Sequence, residues 1–395
     1  MTDDDIHALI IDLIESHVDE EDRQLVLDWV MARKVAFRLY GGARIYDARR
    51  LGQHGAEDDE MRPPLAGKFR AGQQRSPARV ANAADFSSLR KYSSERKAGD
   101  TACHAPATYP RESALKIRAG YDIAFQCVQE MPMVLMLSVH PSRQPDLLTE
   151  HVIRFSPSVT SRDYRDAFGN ICTRLVAPPG LIEIKNEFII EDSGLPDEVA
   201  PNAEQWSIDV LPDEALIYLI GSRYCDTERL SNLAWSLFGN NAGGWQRVQA
   251  ICDYVHERLE FGYHHARCDR TASEGHEERI GVCRDFAHLA VTLCRCMNIP
   301  ARYCTGYLGD IGVPRDPAPM DFSAWFEVFL DGRWFTFDAR HNHPRIGRIV
   351  IARGRDAADV AISTAFGPAQ LSRFTVMTDE LVEECENRPK QVVAA

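Results

Sequence analysis

Apolar positions recur at steps of three and four in some stretches of this chain and alternate with polar ones in others. In the first forty residues the rhythm is helical. Ile6, Leu9, Ile10 and Leu13 make one stripe, and Leu25, Val26, Trp29, Val30 and Val35 make much of a second. The acidic run Asp19-Glu20-Glu21-Asp22 separates them. Residues 1–41 therefore read as an acidic helical segment, which either binds a partner that the sequence does not name or packs on its own domain. Residues 42–113 are rich in Arg, Ala, Gly, Ser and Pro and poor in large apolar side chains, the composition of a disordered linker or extension.

From residue 114 to 195 the pattern changes to strands. Ile117–Cys127, Met133–Val139, His151–Phe155, Ile171–Ala177 and Leu181–Ile190 alternate or run apolar between turn signals such as Pro178-Pro179-Gly180, and predict a β-sandwich. Residues 196–214, with Pro196, Pro201 and Pro212, read as a linker. Over residues 215–380 both rhythms appear. Trp245, Val248, Cys252, Val255 and Leu259 mark one helix, and Phe286, Leu289, Ala290, Leu293, Cys294 and Met297 mark a second, ended by Asn298 and Pro300. A strand at Ala301–Tyr307 follows, then two strands around Asp331-Gly332, a strand at Ile346–Ala352 and a short helix from near Asp356. The expected fold is α+β, with helices packed on an antiparallel sheet behind the β-sandwich. Residues 381–395 form a polar tail.

The chemistry concentrates in the second of those helices. Gly281-Val282-Cys283-Arg284-Asp285-Phe286-Ala287 puts a cysteine in the first turn. There the unpaired N–H groups and the positive end of the helix dipole favour thiolate, the nucleophilic form. Downstream, Asp331-Gly332 is a two-residue hairpin signal. It sets Leu330 opposite Arg333, Phe329 opposite Trp334 and Trp325 opposite Asp338. In that register Ser323, Trp325, Asp338 and Arg340 share one face, with Arg340 directly across from Ser323. A helix-start thiol beside a sheet face carrying polar groups suits a nucleophile, a base and an orienting group.

These stretches resemble the three core motifs of the bacterial transglutaminase-like superfamily: Gly281–Ala287, then Ala324-Trp325-Phe326-Glu327-Val328, then Trp334-Phe335-Thr336-Phe337-Asp338-Ala339. The resemblance extends over about residues 115–380, since the preceding β-rich stretch looks like the N-terminal domain that accompanies this family in bacteria. It implies a papain-like Cys-His-Asp arrangement that attacks amide or peptide bonds through a thioester, with hydrolysis favoured over crosslinking. Cys283 matches the nucleophile and Asp338 the orienting acid. The family's histidine should precede Ala324, and here that residue is Ser323, whose hydroxyl is no base near neutral pH. His341, three residues after Asp338, could take the vacant role, although strict alternation puts it on the opposite face unless the strand ends or bulges. Arg340 could hold Cys283 as thiolate without acting as a base. His264 or His265 could enter the site through the fold; His288 lies well round the helix from the thiol. The competing reading is a non-catalytic binding module that keeps the fold and has lost the base.

Composition narrows the setting. Eleven cysteines, several in apolar patterns, read as reduced side chains of a cytoplasmic protein rather than a disulfide framework. The N-terminus has no basic region before an apolar run, so no signal peptide is expected, and no apolar stretch approaches the length of a membrane span. A formal charge of −13 argues against nucleic-acid binding. His264, His265, Cys268 and His276 lie close in sequence, but their spacing fits none of the usual zinc frameworks, so neither a metal nor another cofactor is expected. The resemblance leaves a peptide or protein amide as the substrate.

Overall fold

The computed structural model describes residues 114–381. The helical segment expected at 1–41, the linker or extension expected at 42–113 and nearly all of the tail expected at 381–395 lie outside the described residues.

Strands come first: β1 (Leu115–Cys127), β2 (Met131–Leu135), β3 (Arg154–Ser156), β4 (Ser161–Arg165), β5 (Ile171–Ala177) and β6 (Gly180–Asp192). β1 and β6 pair antiparallel along their whole length, from Leu115 opposite Asp192 to Cys127 opposite Gly180. Alternation works here as expected, because Ile117, Ala119, Tyr121 and Ile123 of β1 and Ile182, Ile184, Phe188 and Ile190 of β6 all turn into one apolar core. β4 escaped the sequence pattern because Ser161-Arg162-Asp163-Tyr164-Arg165 is exposed throughout and has no buried face to mark it.

The helical part follows. It comprises α1 (Asp213–Leu216), α2 (Thr227–Phe238), α3 (Trp245–Arg258), β7 (Glu260–Phe261), α4 (Ala272–Glu278), β8 (Ile280–Gly281) and α5 (Cys283–Cys296). Then come β9 (Ala301–Tyr307), β10 (Ser323–Leu330), β11 (Arg333–Phe337) and β12 (Ile349–Gly354), which form an antiparallel sheet in the order β11-β10-β9-β12. All residues of α5 are buried, with α2, α3 and α4 against it on one side and β9 and β10 on the other. Its circumference is not apolar throughout: Arg284, Asp285, His288, Thr292 and Arg295 are buried too, and hydrogen bonds to neighbouring groups offset the cost of burying them. Its end is set by Asn298, which takes the left-handed conformation with φ 59°.

Two elements differ from expectation. No helix begins near Asp356. The segment is a run of turns in which the Asp356 carboxylate accepts the N–H groups of Tyr224 (2.8 Å) and Ala358 (2.8 Å). An aspartate that bonds nearby backbone favours turns as readily as helix starts. The second difference is topological. β13 (Ser363–Ala365) and β14 (Ala369–Glu380), within the stretch 215–380 read as the domain of helices on an antiparallel sheet, instead complete the first two sheets. β14 pairs antiparallel with β1, from Ile117 opposite Glu380 to Cys127 opposite Ala369, and β13 pairs with β2. The resulting orders are β14-β1-β6-β3 and β13-β2-β5-β4. The end of the chain is thus tied to the first described strand.

A chain ended after Val360 should therefore leave β1 with an open edge and lose its cooperative melting transition, measured by circular dichroism against the full-length protein. Retention of the full-length melting temperature would show that β13 and β14 are dispensable.

Candidate active site

β7 and β8 are only two residues each, yet they place the thiol. They pair in parallel, Glu260 with Ile280 and Phe261 with Gly281, and β8 runs through Val282 into Cys283 at the first position of α5. Val282, at the N-cap, has no side-chain oxygen for capping. Asp285, three residues on, supplies only the reciprocal half of a capping box, accepting the Val282 N–H at 3.0 Å. Its carboxylate is itself held by Arg270 at 3.0 Å and Arg284 at 3.2 Å, all three side chains being buried. Gly281 has to be small: a Cβ there would sit 2.7 Å from the Cβ of Asp285.

The hairpin forms in the expected register. Leu330 lies opposite Arg333 and Phe329 opposite Trp334, with Asp331 and Gly332 both at positive φ, as a type I′ turn requires. The pairing stops at Phe326 opposite Phe337, however, so the register that put Arg340 across from Ser323 does not extend that far. Asp338 ends it. One carboxylate oxygen accepts the backbone N–H groups of Arg340 (3.0 Å) and His341 (3.1 Å), and Asn342 N–H bonds back to the Asp338 carbonyl at 2.8 Å. This Asx turn curls the chain out of the sheet. His256 at the end of α3 fixes it further by donating to the Arg340 carbonyl at 2.9 Å. The curl carries His341 round to the acid that began it, and its Nδ1 lies 2.8 Å from Asp338 Oδ2.

Asp338 is buried and has a second strong partner in Arg348, which donates to the same Oδ2 at 2.9 Å. Arg348 donates from Nε to Asp197 at 2.9 Å, and its guanidinium lies over the Trp325 ring at 5.1 Å. Burial alone would raise the Asp338 carboxyl. The Arg348 charge and the His341 contacts outweigh that and hold it well below the usual carboxylate range. His341 is shifted down: burial lowers it, the Asp338 bond and charge raise it, and Arg340 and Arg345 lower it again. At neutral pH the ring is thus neutral. Because an ionised carboxylate only accepts, Nδ1 carries the proton and Nε2 is the acceptor.

Cys283, Ser323, Arg340 and His341 line one open cleft of about 530 Å³, with Tyr263 and Asp321 beside them. The loop from Asp310 to Phe322 forms one wall and Val376–Asp379 of β14 the other, so the terminal strand shapes the site. Asp338 is set behind His341 and does not line the cleft. Ser323 is buried, and its Oγ has no hydrogen-bond partner among the described residues.

The other histidines go elsewhere. His264 and His265 lie against each other with ring centroids 3.8 Å apart and planes tilted by 51°, outside the cleft lining. His288 is fully buried under Tyr224, accepts the Ala357 N–H at Nε2 (3.1 Å) and is pushed well below its ordinary pKa by burial. His276 bonds the Tyr254 hydroxyl at 2.7 Å. Among the described residues no three His, Cys, Asp or Glu side chains come together as a metal centre would need, and no helix is long and apolar enough to cross a membrane. Arg348 and Asp197 are the participants that sequence reading missed. Arg348 interrupts the apolar run read as a strand at Ile346–Ala352, which was its one signal. Asp197 lies in the stretch read as a linker, where nothing marked it.

Comparison with known proteins agrees with the three motifs. Residues 232–339 match the model of the transglutaminase-like superfamily, and the chain carries a transglutaminase-like core. A candidate cysteine protease of Cytophaga hutchinsonii has a similar structure, with a TM-score of 0.60 and 28% identity over 69% of this chain and 92% of that one. An uncharacterized protein of Mycobacterium leprae is 34% identical over 88 residues, 20% of this chain; the match spans 30% of that relative's length.

Replacing Asp338 by Ala strands the buried Arg348 guanidinium and should cost about 3–5 kcal/mol, read from urea denaturation. The sign with pH follows from the depressed carboxyl. The stabilisation is present above about pH 4, where an unfolded carboxylate ionises, and is lost as pH falls toward the lower folded value. A loss under 1 kcal/mol would mean that Asp197 alone compensates Arg348.

Proposed function

We propose that this protein is a cysteine-dependent acyl hydrolase of peptide or protein amides, with Cys283 as nucleophile, His341 as its base and Asp338 as the group that orients the base. One observation carries the reading: the His341 Nδ1 to Asp338 Oδ2 bond of 2.8 Å, on a ring that lines the same cleft as Cys283. The family's histidine position holds Ser323, but the acid that would have oriented that histidine has acquired another three residues downstream. Ser323 then contributes space rather than basicity.

The chemistry follows from the geometry. Neutral His341 takes the thiol proton at Nε2, and the imidazolium is stabilised by Asp338. The sulfur attacks the amide carbonyl, and backbone N–H groups at the start of α5 face the developing oxyanion. His341 returns the proton to the leaving amine, and a water activated by the same ring then hydrolyses the thioester. The similarity to a candidate cysteine protease supports water over an amine as the acceptor. The burial of Cys252 and Cys294 in the apolar core supports reduced thiols and a cytoplasmic setting as part of the same proposal.

Hydrolysis of p-nitrophenyl acetate and of casein tests this. His341→Gln should lower kcat/KM by about 10²–10⁴-fold, the usual worth of general acid–base catalysis, while Ser323→Ala should change it less than tenfold. Equal rates in the wild type, Cys283→Ala and His341→Gln would favour the binding module instead.

The pH profile gives an independent check. Since burial lowers His341, the acid limb of kcat/KM should have its midpoint below 6.5. Asp338 raises the affinity of that ring for its proton, so Asp338→Asn should move the limb further to acid while slowing the reaction. A limb at or above 6.5 would assign it to another group.

A further inference from the structure

Arg340 lines the cleft beside Cys283, and the chemistry above makes no use of its guanidinium. Its position is set on three sides. The backbone N–H is bound by Asp338 and the carbonyl by His256. The guanidinium lies over the Phe261 ring, 3.8 Å from its centroid. Phe261 pairs with Gly281, two residues before the thiol, so the stack stands next to the nucleophile. Arg340 and Cys283 also both act electrostatically on the Tyr263 hydroxyl, which places the two charges around one side chain.

Among the described residues this guanidinium forms no hydrogen bond and no ion pair, unlike Arg345 in the same cleft, which bonds the Gly309 carbonyl and Asp310. None of the acids lining the cleft forms an ion pair with it, and Asp316 accepts the Ala318 N–H. Asp310 is engaged with Arg345, and Asp379 pairs with Arg118 at 3.5 Å. Asp321 makes no ion pair with it either, and desolvation pushes the Asp321 carboxyl up to about 8, against the opposing pull of the Phe322 N–H and Arg340. A guanidinium held over an aromatic ring has less freedom to turn, and its planar fork matches a carboxylate with two parallel bonds.

The geometry points to Arg340 as a specificity residue that binds a carboxylate on the substrate beside the amide attacked by Cys283. The carboxylate belongs either to an acidic side chain or to a free chain terminus. This inference rests on Cys283 being the nucleophile of the site, but it requires no turnover and can be tested without it.

The probe is alkylation. Iodoacetate and iodoacetamide react alike, the sulfur displacing iodide from the CH₂, and differ in carrying a carboxylate or an amide. Their rates at Cys283 are compared by mass spectrometry at pH 7, with the exposed Cys268 as internal reference. The iodoacetate-to-iodoacetamide ratio should be about tenfold or more higher at Cys283 than at Cys268, the worth of one charge-assisted hydrogen bond. Arg340→Gln should bring it to the Cys268 value, Arg340→Glu below it, and Arg340→Lys should retain part of it. Taking a ratio cancels any effect of Arg340 on thiolate content. If Arg340→Gln slows both reagents equally, Arg340 only supports the thiolate and the inference falls; a wild-type ratio equal to that of Cys268 also overturns it. Iodoacetyl-Glu-amide and iodoacetyl-Gln with a free carboxyl, each against iodoacetyl-Gln-amide, separate the two sources, the faster reagent marking the side chain or the chain terminus. A protein that passes these tests yet hydrolyses no amide would keep the carboxylate site and lose only the hydrolytic reading.

Discussion

The buried carboxylate of Asp338 is the constraint on which the site depends. An ionised acid without water must be satisfied from every direction, and here one oxygen takes two backbone N–H groups while the other takes His341 and Arg348. The first pair ends β11 and bends the chain. The second pair fixes the His341 ring on one side and the Arg348 guanidinium on the other. The same charge that demands these partners therefore decides where the strand stops, and the place of the stop decides which histidine reaches the cleft.

That satisfaction extends outward. Arg348 is as buried as Asp338 and would be costly alone, so it also binds Asp197. Asp197 stands on the segment that joins the two strand-rich sheets to the helices, and its own N–H bonds the Arg345 carbonyl. A stretch with no periodicity is thereby pinned to the back of the site by charge rather than by apolar packing. On the opposite side the thiol depends on a comparable group, the Arg270–Asp285–Arg284 cluster under the start of α5. Cys283 and His341 are each positioned by a buried carboxylate, Asp285 held between Arg270 and Arg284 and Asp338 held by Arg348 and backbone N–H groups. Burial of those groups makes them intolerant of conservative change.

The cleft joins elements from distant parts of the chain. β14 contributes a wall because it pairs with β1, and its residues alternate too irregularly to declare a strand: Ala369, Val376 and Thr378 are buried, while Gln370 and Thr375 beside them are exposed. Strand pairs of this separation are set by which edges remain open, a property of the assembled sheet rather than of either segment.

By itself the sequence determined the elements whose signal is local. Periodicity marks α3 and α5, the Asp331-Gly332 turn fixes the register of β10 with β11, and the order of motifs around Cys283 and Asp338 identifies the transglutaminase-like core. Those features arise from side chains a few positions apart, so they are written in consecutive residues. Only the tertiary structure decided that β11 ends at Phe337, that His341 meets Asp338, that Arg348 and Asp197 complete the buried charge, and that Arg340 turns away to Phe261 instead of facing Ser323. These outcomes turn on how a buried carboxylate is desolvated and by what, and desolvation belongs to the packed molecule, not to any stretch of its chain.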